Sequence, residues 1–247
     1  MAFQTVFKRY ELKYMLSTEQ KKRVLAAMAP YMKLDEYGRT VIRNLYYDTD
    51  NYLLIRRSIE KPVYKEKLRI RSYSKALSDS TVFVELKKKY KHVVYKRRVS
   101  LTEKSAVEWL SGKKHPDNHT QITNEIDYFI KMYGTLHPTV FLSYEREAYY
   151  SDDGTDFRVT FDDNILCRQE NLTLEADVYG TLILPDGKVL MEIKCNGGIP
   201  LWMTKILSEE KIYKTPFSKY GTAYKTLIFP QNHTINKFNM LEVTKND

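Results

Sequence analysis

The chain has 247 residues, with 40 Lys plus Arg against 31 Asp plus Glu, for a formal net charge of +9. Its 43% apolar content, with 20 Tyr and 10 Phe, excludes a disordered chain, and only 9 Gly and 8 Pro exclude a collagen-like or linker-rich one. No apolar run is long enough for a transmembrane helix. Lys8, Arg9 and Glu11 stand where a secretory signal needs apolar residues, and Cys167 and Cys195 fit no zinc spacing or disulfide framework. A cytoplasmic protein is therefore expected, read as one domain over residues 1–247.

In chain order, Ser17 or Thr18 caps a helix running to about Ala29, supported by Glu19, Val24, Leu25 and Met28. Thr40–Asp48 reads as a strand and Asn51–Ile59 as a short amphipathic helix. Tyr64–Tyr73, Thr81–Lys89 and Val93–Leu101 read as successive antiparallel strands. Thr102–Leu110 and Thr120–Met132 read as helices. Thr139–Tyr150 and Asp156–Phe161 read as strands joined by a turn at Ser151–Gly154. Leu172–Val178 and Lys188–Lys194 are expected as strands, Leu201–Ile212 and Ser218–Ile228 as helices. The tail after Pro230 is expected to be loose.

The informative feature is what alternates. Residues i and i+2 of a strand share a face. Glu11 and Lys13 flank Leu12; Arg69 and Arg71 flank Ile70; Glu85 and Lys87 flank Leu86. Lys96 shares a face with Arg98, Arg158 with Thr160 and Asp162, Glu192 with Lys194, and Tyr144 with Arg146. One such pair reads as a solvated strand face. Seven segments together place about nine cations beside about four carboxylates (Glu11, Glu85, Asp162, Glu192). An open sheet would display them to water. A sheet curled into a barrel of about eight strands would enclose them, with helices covering its apolar outer face.

Two like charges about 4 Å apart repel by roughly 4 kcal/mol at an effective dielectric near 20. Such a cluster makes physical sense if a polyanion occupies it, because Arg and Lys are the natural partners of phosphate oxygens. The carboxylates suit a hard divalent cation bridging those phosphates. Lys87–Lys89 and Lys96–Arg98 also resemble nucleic-acid patches, but Lys88 and Arg97 point away from the shared face, so no nucleic-acid partner is expected. Ser218-Lys219-Tyr220 opens a helix where an anion could sit. No Ser/His/Asp set, P-loop or dinucleotide fingerprint is present.

Eight segments occur in an order that resembles a known family. They are Arg9–Tyr14, Leu45–Thr49, Lys67–Arg71, Phe83–Lys87, Tyr144–Arg146, Phe157–Asp162, Leu190–Lys194 and Phe217–Tyr220. Together they resemble the VTC domain, the polyphosphate polymerase branch of the CYTH or triphosphate tunnel metalloenzyme superfamily, over roughly residues 3 to 228. The resemblance implies an α+β fold, a closed antiparallel β-barrel tunnel with helices packed outside. It also implies transfer of the ATP γ-phosphate to a growing polyphosphate chain, with Mn²⁺ or Mg²⁺ as cofactor.

By motif, Lys13, Arg69, Arg71, Lys87, Lys96, Arg146, Arg158 and Lys219 fall on phosphate-holding positions and Glu192 on the metal-binding carboxylate. Arg69, Arg71, Lys87, Arg146 and Arg158 are assigned to the transferring group. Lys13, Lys96, Arg98, Lys194 and Lys219 are assigned to the rest of the phosphates, and Glu11 is a second metal candidate. The chain departs from the wider superfamily's Glu-x-Glu-x-Lys signature, since Arg9 stands at the first Glu, and Pro216 stands where polymerase relatives carry a second Lys, with Lys214 nearby. It lacks the regulatory domain and transmembrane helices of the eukaryotic complexes, which implies a stand-alone prokaryotic member reaching a membrane only through another protein. The alternatives are an inorganic triphosphatase of the same fold, a non-catalytic polyphosphate or inositol-phosphate binding module, and a nucleic-acid binder.

Overall fold

The computed structural model describes residues 10–91 and 93–230, so Arg9 and the tail after Pro230 lie outside the described residues. In order the elements are β1 (Tyr10–Ser17), α1 (Thr18–Met28), β2 (Met32–Asp48), α2 (Leu53–Ile59), β3 (Tyr64–Ser72), β4 (Thr81–Tyr90), β5 (Val93–Thr102), α3 (Glu103–Leu110) and α4 (Gln121–Tyr133). There follow β6 (His137–Ser151), β7 (Arg158–Arg168), β8 (Thr181–Leu182), β9 (Lys188–Cys195), α5 (Leu201–Glu209), α6 (Lys219–Ala223) and a π-helical turn at Tyr224–Ile228. The nine strands form one antiparallel sheet in the order β1-β9-β7-β6-β2-β3-β4-β5, with β8 paired to β7.

Helix starts follow local chemistry. Ser17 Oγ accepts from the Gln20 amide at 3.1 Å while Gln20 Oε1 accepts from the Ser17 amide at 2.9 Å, a reciprocal cap that opens α1. Thr120 opens α4 with the same reciprocal cap through Thr123, whereas Thr102 caps α3 only by accepting from the Ser105 amide.

The sheet curls strongly. Glu11 on β1 and Lys87 on β4 are six strand spacings apart in the sheet order, about 29 Å if it were flat. Yet Lys87 Nζ lies 3.1 Å from Glu11 Oε2. Alternation then sorts the two faces. On the convex side, Leu45, Leu68, Ile70, Val84 and Leu86 pack under α3 and α4 through Trp109, Ile126 and Phe129. Leu16, Val159, Phe161, Met191 and Ile193 pack under α1 and α5 through Val24, Met28 and Met203. The charged residues line the concave side, and part of that side is filled by Ile42, Leu142 and Leu190 against Ile55 of α2 and Tyr220 of α6.

Several expectations need correction. The barrel is not closed by its backbone: among the described residues β1 and β5 are the ends of the ladder, and the Glu11–Lys87 ion pair spans the two sides instead. Alternation fixes which face is inside, whereas closure depends on strand stagger, which alternation does not encode. Leu172–Val178 is not a strand. This segment wraps around Arg168, whose guanidinium donates to the carbonyls of Glu170, Asn171, Asp177 and Tyr179, so those acceptors serve a side chain rather than a ladder. β2 begins eight residues earlier than expected, at Met32, because Gly38 (φ 59°) lets the strand pass a register shift between Leu34 and Arg39. α5 stops at Glu209, before Lys211 takes a left-handed φ of 52°, and the helix expected over Ser218–Ile228 divides into α6 and the π-helical turn.

Candidate functional site

Register assembles the concave face into rungs. Arg69, Glu85 and Arg98 lie directly opposite one another across β3, β4 and β5. Glu85 is 1% exposed and carries four cations: Arg69 at 2.7 Å, Lys96 at 2.7 Å, Arg98 through Nε at 2.8 Å and Arg71 at 3.8 Å. Burial alone would raise its pKa; the cations outweigh burial and hold it far below the ordinary value. Tyr46 accepts from Arg69 at 2.8 Å, and Asn44 and Tyr144 accept from Arg71 at 3.0 and 3.1 Å. These bonds fix both guanidiniums in the wall.

A second cluster is built by β1, β9, β7, β6 and α6. Asp162 is 0% exposed and takes Arg146 through two bonds of 2.6 and 2.7 Å, with Lys219 also donating to it. Glu192 lies 3.3 Å from Lys13, 3.5 Å from Lys219, 3.6 Å from Arg146 and 3.8 Å from Lys194. Burial opposes its ionisation, but Lys13, Lys219, Lys194 and Arg146 hold it well below the carboxylate range. Glu11 is held low mainly by Lys87. Both metal candidates are therefore ionised, hard oxygen donors.

Between the clusters lies a rung of Lys67, Lys87 and Lys96, opposite one another on β3, β4 and β5. Lys67 donates to Ser218 Oγ at 3.0 Å, and Ser218 also caps α6. Burial, then Lys13, Lys87, Lys65 and Arg69, push Lys67 well below its ordinary pKa, and among the described residues no carboxylate lies within ion-pair distance of it. Lys96 is pushed down to about 7, chiefly by burial and despite Glu85. Lys87 and Lys96 lean on carboxylates of the flanking clusters, Glu11 at 3.1 Å and Glu85 at 2.7 Å, so three lysines share a rung that carries no acid of its own, which is the chemistry of an anion site.

The structure thus brings together Lys13, Arg69, Arg71, Lys87, Lys96, Arg98, Arg146, Lys194, Lys219, Glu11 and Glu192. Arg158 stands apart. It is opposite Lys194 in the ladder, but its side chain is 60% exposed at the start of β7, with Asp156 3.9 Å away. Lys88 and Arg97 do point outward, both pairing with Glu125 of α4 at 3.6 and 3.0 Å. Lys214 pairs its backbone with Tyr14 on β1.

Alternation placed Glu85 and Asp162 on this face, but their role as counter-charges appears only in three dimensions. Lys67 was legible as the residue two before Arg69. Thr160 is a further member: opposite Glu192 in the ladder, 6% exposed, with no hydrogen-bond partner for its hydroxyl among the described residues. Among the described residues, no three His, Cys, Asp or Glu side chains gather to hold a metal ion.

Comparison with solved structures finds the same fold in a candidate adenylate cyclase from Bacillus halodurans, with TM-score 0.52 and 16% identity over 86% of this chain and 96% of that one. A candidate adenylyl cyclase from Hippeastrum with a dominant triphosphatase activity gives TM-score 0.51 and 14% identity over 88% of this chain and 95% of that one. No curated protein matches the sequence. Among the described residues no helix is long and apolar enough to cross a membrane. The model of the VTC domain family matches residues 8–228, and the chain belongs to that family.

Proposed function

We propose that the protein is an ATP-dependent polyphosphate polymerase, transferring the γ-phosphate of ATP to the end of a polyphosphate chain and releasing ADP. The observation that supports this best is the continuous run of cations along β3, from Arg71 and Arg69 to Lys67, of which Lys67 has no carboxylate within ion-pair distance among the described residues. A compact anion needs one cluster, whereas a linear polyanion matches a row. In the transfer, an oxygen of the acceptor's terminal phosphate bonds to the γ-phosphorus as the bond from that phosphorus to the β–γ bridging oxygen breaks. Positioning and charge neutralisation carry most of such a step. Arg69, Arg71, Lys87 and Arg146 bear on the transferring group, with Arg158 at the rim. Lys13, Lys96, Arg98, Lys194 and Lys219 hold the remaining phosphates.

Glu192 and Glu11 fit a divalent metal that arrives with its phosphates: two ionised carboxylates suffice when phosphate oxygens complete the shell. Mg²⁺ or Mn²⁺ held there would supply charge neutralisation to the bound phosphates. The protein is to be incubated with ATP and Mn²⁺, and the products run on a gel stained for polyphosphate beside a phosphate-release assay. Long chains with stoichiometric ADP are expected. Free phosphate without polymer would overturn this reading in favour of a triphosphatase, the activity of the Hippeastrum relative. Binding without turnover would favour a polyphosphate-binding module.

Proton linkage gives a test independent of turnover. Lys96 is half-neutral near pH 7 in the free protein, and burial also depresses Lys67 and Lys194. A bound polyanion favours the charged lysines, so binding takes up protons above about pH 7. Affinity should fall as pH rises through that value, because deprotonation removes a cation from the wall. Calorimetry of triphosphate binding at pH 8 in buffers of different ionisation enthalpy should register net proton uptake. Zero uptake would mean the lysines are already fully charged.

A further inference from the structure

Two consecutive rungs of the β3–β4 ladder set lysine against lysine on the concave face. Lys67 is opposite Lys87, and one step outward Lys65 is opposite Lys89. Like charges directly opposite in a sheet destabilise it. The inner rung belongs to the site described above; the outer one does not. Lys65 Nζ donates to the Ser58 carbonyl at 3.1 Å, which holds it at the wall without neutralising it. On the far side of Lys89 the ladder continues to Val94, which brings no charge. Glu11 is the carboxylate that favours charged Lys89, and it is already engaged by Lys87 at 3.1 Å and Lys13 at 3.4 Å.

The contrast along the ladder is informative. At the Arg69–Glu85–Arg98 rung the cations share a buried carboxylate. Moving outward, the next two rungs hold lysines and no acid of their own. Lys65 and Lys89 are the last inward-facing pair before the strands end at Tyr64 and Tyr90. From Arg71 to Lys65 the wall advances six residues, about 20 Å of strand, which exceeds the reach of a triphosphate. Among the described residues neither Lys65 nor Lys89 has a carboxylate within ion-pair distance; burial depresses the pKa of both, with Lys89 the next cause for Lys65, while Glu11 pulls Lys89 the other way.

We propose that Lys65 and Lys89 form an outer subsite for the extended portion of a linear polyphosphate, which leaves the concave face at the end of the ladder marked by Tyr64 and Tyr90. The proposal rests on the polyphosphate reading above and adds a direction and a length dependence to it. A triphosphate seated on Arg69, Arg71 and Arg146 lies two or more rungs inward, about 13 Å of strand from Arg69 to Lys65, whereas a long chain spans that distance.

The test is the double variant Lys65→Ala/Lys89→Ala in the full chain, titrated without metal against inorganic triphosphate and against long-chain inorganic polyphosphate. Affinity for the long chain should fall by roughly tenfold or more, with triphosphate affinity unchanged within about twofold. A second variant, Lys22→Ala/Lys205→Ala, removes the same charge from exposed positions on α1 and α5 and should leave both affinities unchanged. Equal loss for both ligands in the first variant, no loss for either, or a matching loss in the second variant would overturn the subsite. Failure of the polymerase reading looks different. A wild-type protein that makes no polymer from ATP but shows the length-selective loss keeps the subsite and drops the reaction.

Discussion

Glu85→Gln is expected to cost about 3–5 kcal/mol of stability, because it removes the counter-charge of a buried ionic cluster and leaves its cations uncompensated. Glu85 is 1% exposed and is shared by Arg69, Arg71, Lys96 and Arg98, so the amide keeps the shape and loses the charge. For a chain of this size that corresponds to a drop in Tm of about 6–20 °C. Triphosphate should restore more stability to the variant than to the wild type, because the ligand replaces the missing negative charge. The pH dependence follows from the depressed pKa of Glu85. Its contribution is complete above the ordinary value of 4.5 and is lost as pH falls toward the much lower folded value. The wild type should therefore lose stability over that acid range more steeply than Glu85→Gln. Thermal melts of both proteins between pH 7 and the acid limit check this. A variant within about 1 kcal/mol of wild type at neutral pH would mean the cations do not depend on this carboxylate.

The dependence of four cations on one acid also shows where sequence reading stops. Alternation alone identified the charged face: Lys13, Arg69, Glu85, Lys96, Arg146 and Glu192 all line the concave side, because side-chain direction has a period of two. Of the helices over the convex side, α1, α3 and α4 are legible from their caps at Ser17, Thr102 and Thr120. Pairing was not legible. That Asp162, rather than a phosphate, holds Arg146 and Lys219 depends on the β6–β7 register and on where α6 lands. The exposure of Arg158 depends on its place as the first residue of β7, which the motif does not reveal. The loop after Arg168 misled because Leu172, Leu174 and Val178 alternate like a strand, while the backbone carbonyls around them are committed to a buried guanidinium. The motif Leu45–Thr49 carried no assigned role. Its Asp48 accepts from the amides of Leu54 and Ile55 at the start of α2 and from the Tyr220 hydroxyl at 3.0 Å, tying α2 to the helix that bears Lys219.

Glu192→Gln should separate the binding of phosphate from the use of metal. The carboxylate touches Lys13, Arg146, Lys194 and Lys219, so in the metal-free protein it competes with a phosphate for those four cations. Neutralising it removes a repulsive charge from the site, and triphosphate should bind more tightly without metal. With Mn²⁺ present the order should reverse. On the proposed function, Glu192 and Glu11 would together hold the metal in the wild type, whereas the variant would keep only Glu11 of the two proposed donors. Turnover should fall by roughly 100- to 1,000-fold, the scale for removing one electrostatic contributor at a reacting centre. Mn²⁺ alone should bind neither protein detectably, since Lys13 occupies both carboxylates and no third acidic ligand joins them among the described residues. Calorimetry of the metal, of triphosphate and of the two together, on both proteins, gives all three comparisons. If the variant retains a wild-type gain from Mn²⁺, the metal is held elsewhere and Glu192 acts only as a counter-charge. If its metal-free affinity for triphosphate falls instead of rising, Glu192 is needed to keep the four cations in place, and its role is structural.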